Sequence, residues 1–136
     1  MQHIGQIMTK LLESAPDGGK DSPVTAYFLF ECKSVGSIAL LRFNKGGREA
    51  FHTHAFTALT WFLWGTMEEH DIDGTVYKYT RSILPKLTWK TKNHTVQAME
   101  TSWCLTIRGP WDRTWTEHLN GVKTRLAWGR EVVPND

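Results

Sequence analysis

The sequence predicts an all-β domain, an antiparallel barrel or sandwich, with a short helix ahead of it. Three observations carry this. From residue 23 onward the chain breaks into short runs rich in aromatic and β-branched residues, the composition of strands. Turn residues separate those runs, as in Asn44-Lys45-Gly46-Gly47 and Asp71-Ile72-Asp73-Gly74, and Asp-Gly is a strong hairpin signal. Ahead of residue 23 the apolar spacing is helical instead. Regularly spaced short strands with turns between them read as a closed or two-sheet β architecture.

Residues 3–14 form the expected helix. Ile4, Ile7, Met8, Leu11 and Leu12 recur at helical spacing, and Ser14-Ala15-Pro16-Asp17-Gly18-Gly19 stops it. The helix reads as a cap on the barrel, which occupies residues 23–130. The expected strands are Val24 to Phe30, Ser37 to Phe43, Phe51 to Trp64, Met67 to His70, Thr75 to Arg81, His94 to Gln97, Ser102 to Arg108 and Thr124 to Trp128. There is no internal repeat, low-complexity tract or linker, so the 136 residues read as one domain with a real core.

Composition removes several function classes. Hydrophobic residues make up 40% and charged residues 22%, as in ordinary soluble domains. No run of about 18 apolar residues exists for a membrane-spanning helix. The first residues lack a basic patch followed by an apolar core, so no signal peptide is expected and a cytoplasmic location follows. A formal charge of +2 gives no bulk attraction for nucleic acid. The basic cluster from Lys78 to Lys92, with Arg81, Lys86 and Lys90, reads as a solvated strand and loop. Cys32 and Cys104 supply neither a disulfide framework nor zinc-knuckle spacing and read as small buried hydrophobes. Seven tryptophans imply a lined cavity or a dimer surface.

The chemistry concentrates in Phe51-His52-Thr53-His54. On a strand, residues two apart share a face. The two imidazoles then stand side by side, about 7 Å apart at their Cα atoms. Two neutral imidazoles on one rigid face are most of a common metal site. His94 opens a downstream strand. If that strand lies beside the first, three nitrogens converge and leave positions open for substrate, water or dioxygen. His3, His70 and His118 read as uninvolved. The same parity turns Phe56, Ala58, Thr60 and Phe62 inward. In Trp103 to Arg108 one face is Trp103, Leu105 and Ile107, and the other is Cys104, Thr106 and Arg108. Arg42, Arg81 and Arg108 are the candidate substrate-binding arginines, able to pair with a carboxylate or phosphate. Trp111 and Trp115 are candidate cavity walls. No nucleophile elbow and no glycine-rich phosphate loop is present.

The run Gly46-x5-His52-x-His54-x3-Ala58-x6-Gly65 resembles the first motif of the cupin superfamily, with every spacing matched. The family has glutamate where this chain has Ala58. His94 matches the histidine of the second motif, whose glycines, proline and asparagine are replaced by Ile83, Thr91, Trp89 and Ala98. The resemblance covers roughly residues 37–110. It implies a cupin-like double-stranded β-helix (jelly-roll) barrel, usually a homodimer, with a divalent metal held by His52, His54 and His94. Three histidines without a carboxylate are similar to the site of cupin thiol dioxygenases. That similarity implies ferrous iron, a small anionic substrate and a metal-dependent dioxygenase reaction. The resemblance equally admits an isomerase or lyase using zinc, nickel or manganese, or a non-catalytic cupin that sequesters a metabolite or nucleotide.

Overall fold

In the computed structural model, residues 8–10, 12–18, 21–47 and 51–134 are described. Fifteen strands follow in chain order: β1 (Met8–Lys10), β2 (Glu13–Pro16), β3 (Val24–Cys32), β4 (Gly36–Phe43), β5 (Gly46–Gly47), β6 (Phe51–His52), β7 (Ala58–Trp64), β8 (Met67–Asp71), β9 (Val76–Tyr79), β10 (Lys86–Thr88), β11 (His94–Ala98), β12 (Ser102–Arg108), β13 (Thr114–Leu119), β14 (Val122–Ala127) and β15 (Glu131–Val133). A single 3-10 turn, Trp128–Arg130, is the helical element among the described residues. No helix there is long and apolar enough to cross a membrane.

The strands form two antiparallel sheets. One has the order β1-β3-β4-β12-β7-β10, with β2 also on β3; the other runs β15-β14-β13-β6-β11-β8-β9, with β5 also on β11. From β4 to β13 the chain repeatedly crosses between the sheets, the arrangement of a jelly roll. This is the double-stranded β-helix expected from the sequence.

The expected helix is not formed. Met8–Lys10 and Glu13–Pro16 are strands on β3, with Ala15 opposite Ala26; residues 3–7 and 11 lie outside the described residues. A helix of about twelve residues is marginal in water. Here β3 offers an open edge, and Pro16 sits at the end of an edge strand where its missing N–H costs no ladder bond.

The expected strand from Phe51 to Trp64 divides. Only Phe51–His52 and Ala58–Trp64 are strand, and they belong to opposite sheets. The backbone between them turns its donors to other segments: Thr53 N–H to Thr116 O (2.9 Å) and His54 N–H to Lys90 O (3.1 Å). Leaving one sheet for the other at this point carries the histidine segment across the barrel end. β5, in the expected turn at Asn44–Gly47, and β10, β13 and β15 were not expected from the sequence.

The core lies between the two sheets and continues into the walls of the cavity that the histidines border. Val24, Ala26, Phe28, Ala39, Leu41, Phe62, Met67, Ala98 and Cys104 pack in one cluster. Gly65 closes the turn between β7 and β8 at φ +96°, with Ser102 pressed against it.

Candidate metal centre

Register explains why the histidines meet. His52 of β6 is the direct cross-strand partner of His94 of β11, and β6 is held on its other side by β13 through Glu117 opposite His52. Directly opposed residues in an antiparallel pair share a face with neighbouring Cβ atoms. His54 follows immediately as the chain leaves the sheet. The ring centroids lie 4.9 Å (His52–His54), 5.1 Å (His52–His94) and 4.8 Å (His54–His94) apart. One ring nitrogen from each falls within 4.8 Å of the other two. His52 and His94 are buried and His54 half-buried.

The donor set fits a first-row divalent ion. His54 Nε2 and His94 Nε2 are 3.4 Å apart. Two nitrogens bound at about 2.1 Å to one ion, at about 90–109° to each other, are separated by about 3.0–3.4 Å. The other nitrogen of His94, Nδ1, is hydrogen-bonded to Glu69 Oε2. An ionised carboxylate only accepts, so a proton sits on Nδ1 and Nε2 is the nitrogen left to meet an ion. This carboxylate–imidazole pairing is how metal-binding histidines are oriented and made more basic.

Glu69 is 2% exposed and heavily bonded. Lys86 Nζ donates to both its oxygens (2.7 and 2.9 Å), Lys92 Nζ to one (3.0 Å) and Tyr79 Oη to one (3.0 Å). Burial alone would raise its pKa. The hydrogen bonds from His94 and Lys86, and the charge of Lys86, outweigh burial and hold the carboxyl well below the usual carboxylate range. Burial lowers Lys86 despite Glu69, while for Lys92 the contacts with Glu69 outweigh burial and raise it. Burial and the Glu69 charge push Tyr79 up. Glu69, Asp71 and His94 also bring donor atoms within 4.8 Å of one another. Two ammonium groups already sit there, with Lys92 also 3.5 Å from Asp71, so that cluster has no room electrostatically for a cation. The three-histidine cluster does.

The histidines border a cavity of about 190 Å³. Its walls include Phe56, Ala58, Thr60 and Phe62, the inward set expected from strand parity, even though the strand itself is interrupted. Cys104, Thr106 and Arg108 also face it, each 4% exposed or less. Burial pushes the Cys104 thiol up to about 12. Trp111 and Trp115 line the cavity, packed edge to face at 5.6 Å, with Phe56 5.3 Å from Trp111.

The three candidate arginines separate. Arg108 lines the cavity, over the Phe56 ring at 4.6 Å, and is paired with Asp17. Arg42 alternates with the inward residues Leu41 and Phe43 and is exposed; Arg81 lies past the end of β9 and is exposed. Neither borders the cavity. Arg130 does, bonded to Glu117 at 2.6 Å. Glu69 and Asp17 were not singled out from the sequence, and Lys86, read there as part of a solvated basic run, is instead 19% exposed, lines the cavity and is paired with buried Glu69. The available signal for Glu69 was parity: it shares a strand face with buried Met67. His70 bonds Glu68 and His118 bonds Asn93, away from the cluster.

No family profile matches the sequence, and no curated protein does. Solved structures do match the fold. A sugar phosphate isomerase from a cupin superfamily, from Silicibacter pomeroyi, aligns at TM-score 0.63 and 11% identity over 94% of each chain. An RmlC-like cupin from Shewanella frigidimarina aligns at 0.57 and 16%, over 73% of this chain and 84% of that one. Ectoine synthase from P. lautus aligns at 0.55 and 12%, over 65% of each, so this chain spans less than two thirds of that enzyme. With the first-motif spacing, the two interleaved sheets and these likenesses together, the chain has the double-stranded β-helix fold of the cupin superfamily, with three histidines converging at one end of its barrel.

Proposed function

We propose that the chain is a metal-dependent cupin enzyme acting on a small anionic substrate, with ferrous iron and a dioxygenase reaction as its chemistry. The observation that carries this is the juxtaposition, in one cavity, of three imidazole nitrogens with a buried guanidinium. Ferrous iron, when held by His52, His54 and His94, supplies Lewis-acid and redox chemistry and keeps its full charge for an anionic substrate. The chain's own residues do the rest. Glu69 keeps a proton on His94 Nδ1 and so presents Nε2. Arg108 binds the oxyanion. Phe56, Trp111 and Trp115 wall the cavity with apolar surface and keep water out.

A second reading, a Lewis-acid isomerase or lyase using zinc, nickel or manganese, is favoured by the match over 94% of both chains to a protein described as a sugar phosphate isomerase. Oxygen uptake separates the two. Protein loaded with ferrous iron is offered small thiols and carboxylates in turn. Substrate-dependent oxygen consumption that vanishes in His54→Ala supports the dioxygenase. Iron uptake with no oxygen consumption across the series, and turnover of a sugar phosphate with zinc or manganese instead, supports the isomerase.

A further inference from the structure

Arg108 is a buried cation whose neutralising partner comes from outside the cupin motifs. On β12 its direct cross-strand partner is Ala58 of β7, and both face the cavity. Ala58 stands where the family pattern has a glutamate. The chain has therefore given up a built-in carboxylate and left space beside a guanidinium that is 4% exposed. An unpaired charge so buried is strongly unfavourable.

Asp17, on the loop after β2, supplies the charge. Arg108 donates from Nη1 to Asp17 Oδ1 at 3.3 Å and from Nη2 to Oδ2 at 2.7 Å, the two-pronged geometry that guanidinium makes with a carboxylate or phosphate. The pair is lopsided: the Arg108 side chain is 3% exposed and the Asp17 side chain 31%. Asp17 can turn out to water; Arg108 cannot. The Asp17 backbone is held independently, its N–H on Val24 O at 2.8 Å and its carbonyl accepting from Ser22 Oγ at 2.5 Å. Arg108 Nε is buried with no hydrogen-bond partner among the described residues, so the cation keeps unused donor capacity on the protein side.

We propose that Asp17 is a placeholder for the ligand's oxyanion. It holds Arg108 aligned and neutralised until a carboxylate or phosphate enters from the cavity and takes over the two-pronged contact. The ligand class is a small amphiphile with one terminal oxyanion and an apolar body. Phe56 lies under the guanidinium with Trp111 beyond it, and Ala58 leaves the opening next to it. The inference rests on the reading of this cavity as an anionic-substrate site, but not on the metal.

Titration calorimetry tests it with hexanoate, hexyl phosphate and the neutral hexanamide, on wild type, Asp17→Asn, Asp17→Ser and Arg108→Gln, all stripped of metal. If Asp17 occupies Arg108 nine-tenths of the time or more, removing it tightens oxyanion binding about tenfold or more. We expect that gain for hexanoate, hexyl phosphate or both, with hexanamide unchanged and the gain absent in Arg108→Gln. Which probe gains identifies carboxylate or phosphate as the group taken. In wild-type protein saturated with the gaining probe, the Asp17 carboxyl carbon resonance should move to a solvent-exposed value, a readout needing no variant. Unchanged or weaker oxyanion binding in both Asp17 variants, or no binding of either probe to them, overturns the proposal. A chain that never takes up iron but shows the tightening refutes the metal reading and leaves this one standing.

Discussion

Glu69 hydrogen-bonds Nδ1 of His94, the ring whose other nitrogen lies 3.4 Å from His54 Nε2. That contact links the most buried charge in the barrel to the candidate metal centre. Glu69→Gln replaces an obligate acceptor by an amide that can also donate, so the His94 tautomer is no longer imposed. We expect metal affinity to fall about 10- to 100-fold, read by titration calorimetry on folded protein. The same change takes the Glu69 counter-charge from Lys86 and leaves Lys92 with Asp71 alone, at 3.5 Å. Their side chains are 19% and 27% exposed and reach some water, so the stability loss should lie near about 3 kcal/mol, the lower end for breaking a buried pair. Urea denaturation measures it separately.

Acid stability carries the same signature. The Glu69 carboxyl is held below its ordinary value of 4.5 in the folded chain. A group whose pKa falls on folding adds stability above its unfolded value and loses it as pH drops through the folded one. The Glu69 contribution is therefore complete above about pH 5 and erodes below about pH 4.5. In Glu69→Gln the decline of unfolding free energy between about pH 4.5 and pH 3 should be shallower than in wild type. An equally steep decline would show that Glu69 is not the responsible group.

Gly65 and Gly46, both positions of the first motif, should respond differently to alanine. A Cβ on Gly65 would stand 2.7 Å from Ser102 Cα and 2.1 Å from Ser102 Oγ, at φ +96°. Ser102 is fully buried and cannot retreat. Gly65→Ala should cost more than about 3 kcal/mol. Gly46 has φ +110° but nothing within 4 Å of a Cβ, so Gly46→Ala should cost only backbone strain, about 1–2 kcal/mol. Thermal denaturation of the two variants checks the order.

Much of the site was legible because it depends on side-chain parity and motif spacing, which survive local errors. The run from Phe51 to Trp64 reads as one strand, because aromatics and threonines fill it throughout. The break between His52 and Ala58 is made by hydrogen bonds to Thr116 and Lys90, partners that no local pattern announces. Phe56, Ala58, Thr60 and Phe62 still face the cavity. The N-terminal segment failed for the opposite reason: a helical spacing too short to stand alone yields to an open sheet edge. β13 escaped because Thr114-Trp115-Thr116-Glu117-His118-Leu119 does not alternate apolar with polar. Arg42 and Arg108 lie on strands, and only Arg108 shares a face with inward neighbours, Cys104 and Thr106. Asp17 was invisible because its partner is 91 residues away.

The outer face of the β3-β4-β12-β7-β10 sheet leads to a prediction about assembly. Ile38, Ile107, Leu59 and Leu87 form a cross-strand row over four strands, each more than a third exposed. Leu40, Leu105 and Trp61 form the row beside it. Monomers rarely leave a large contiguous apolar surface in water. A second copy presenting the same two rows can pack sheet on sheet about a two-fold axis. We propose a homodimer through this face. Sedimentation should give a dimer for wild type and a folded monomer for Ile107→Glu. A wild-type monomer at tens of micromolar would remove the proposal.

The metal itself is the decisive observable. Protein purified without a chelating tag and loaded with ferrous iron under anaerobic conditions should hold one ion per chain by elemental analysis. His52→Ala, His54→Ala and His94→Ala should each lose it while keeping the wild-type far-ultraviolet circular dichroism. Wild-type protein that takes up no stoichiometric metal, or a triple-histidine variant that keeps it, would contradict a three-histidine metal centre.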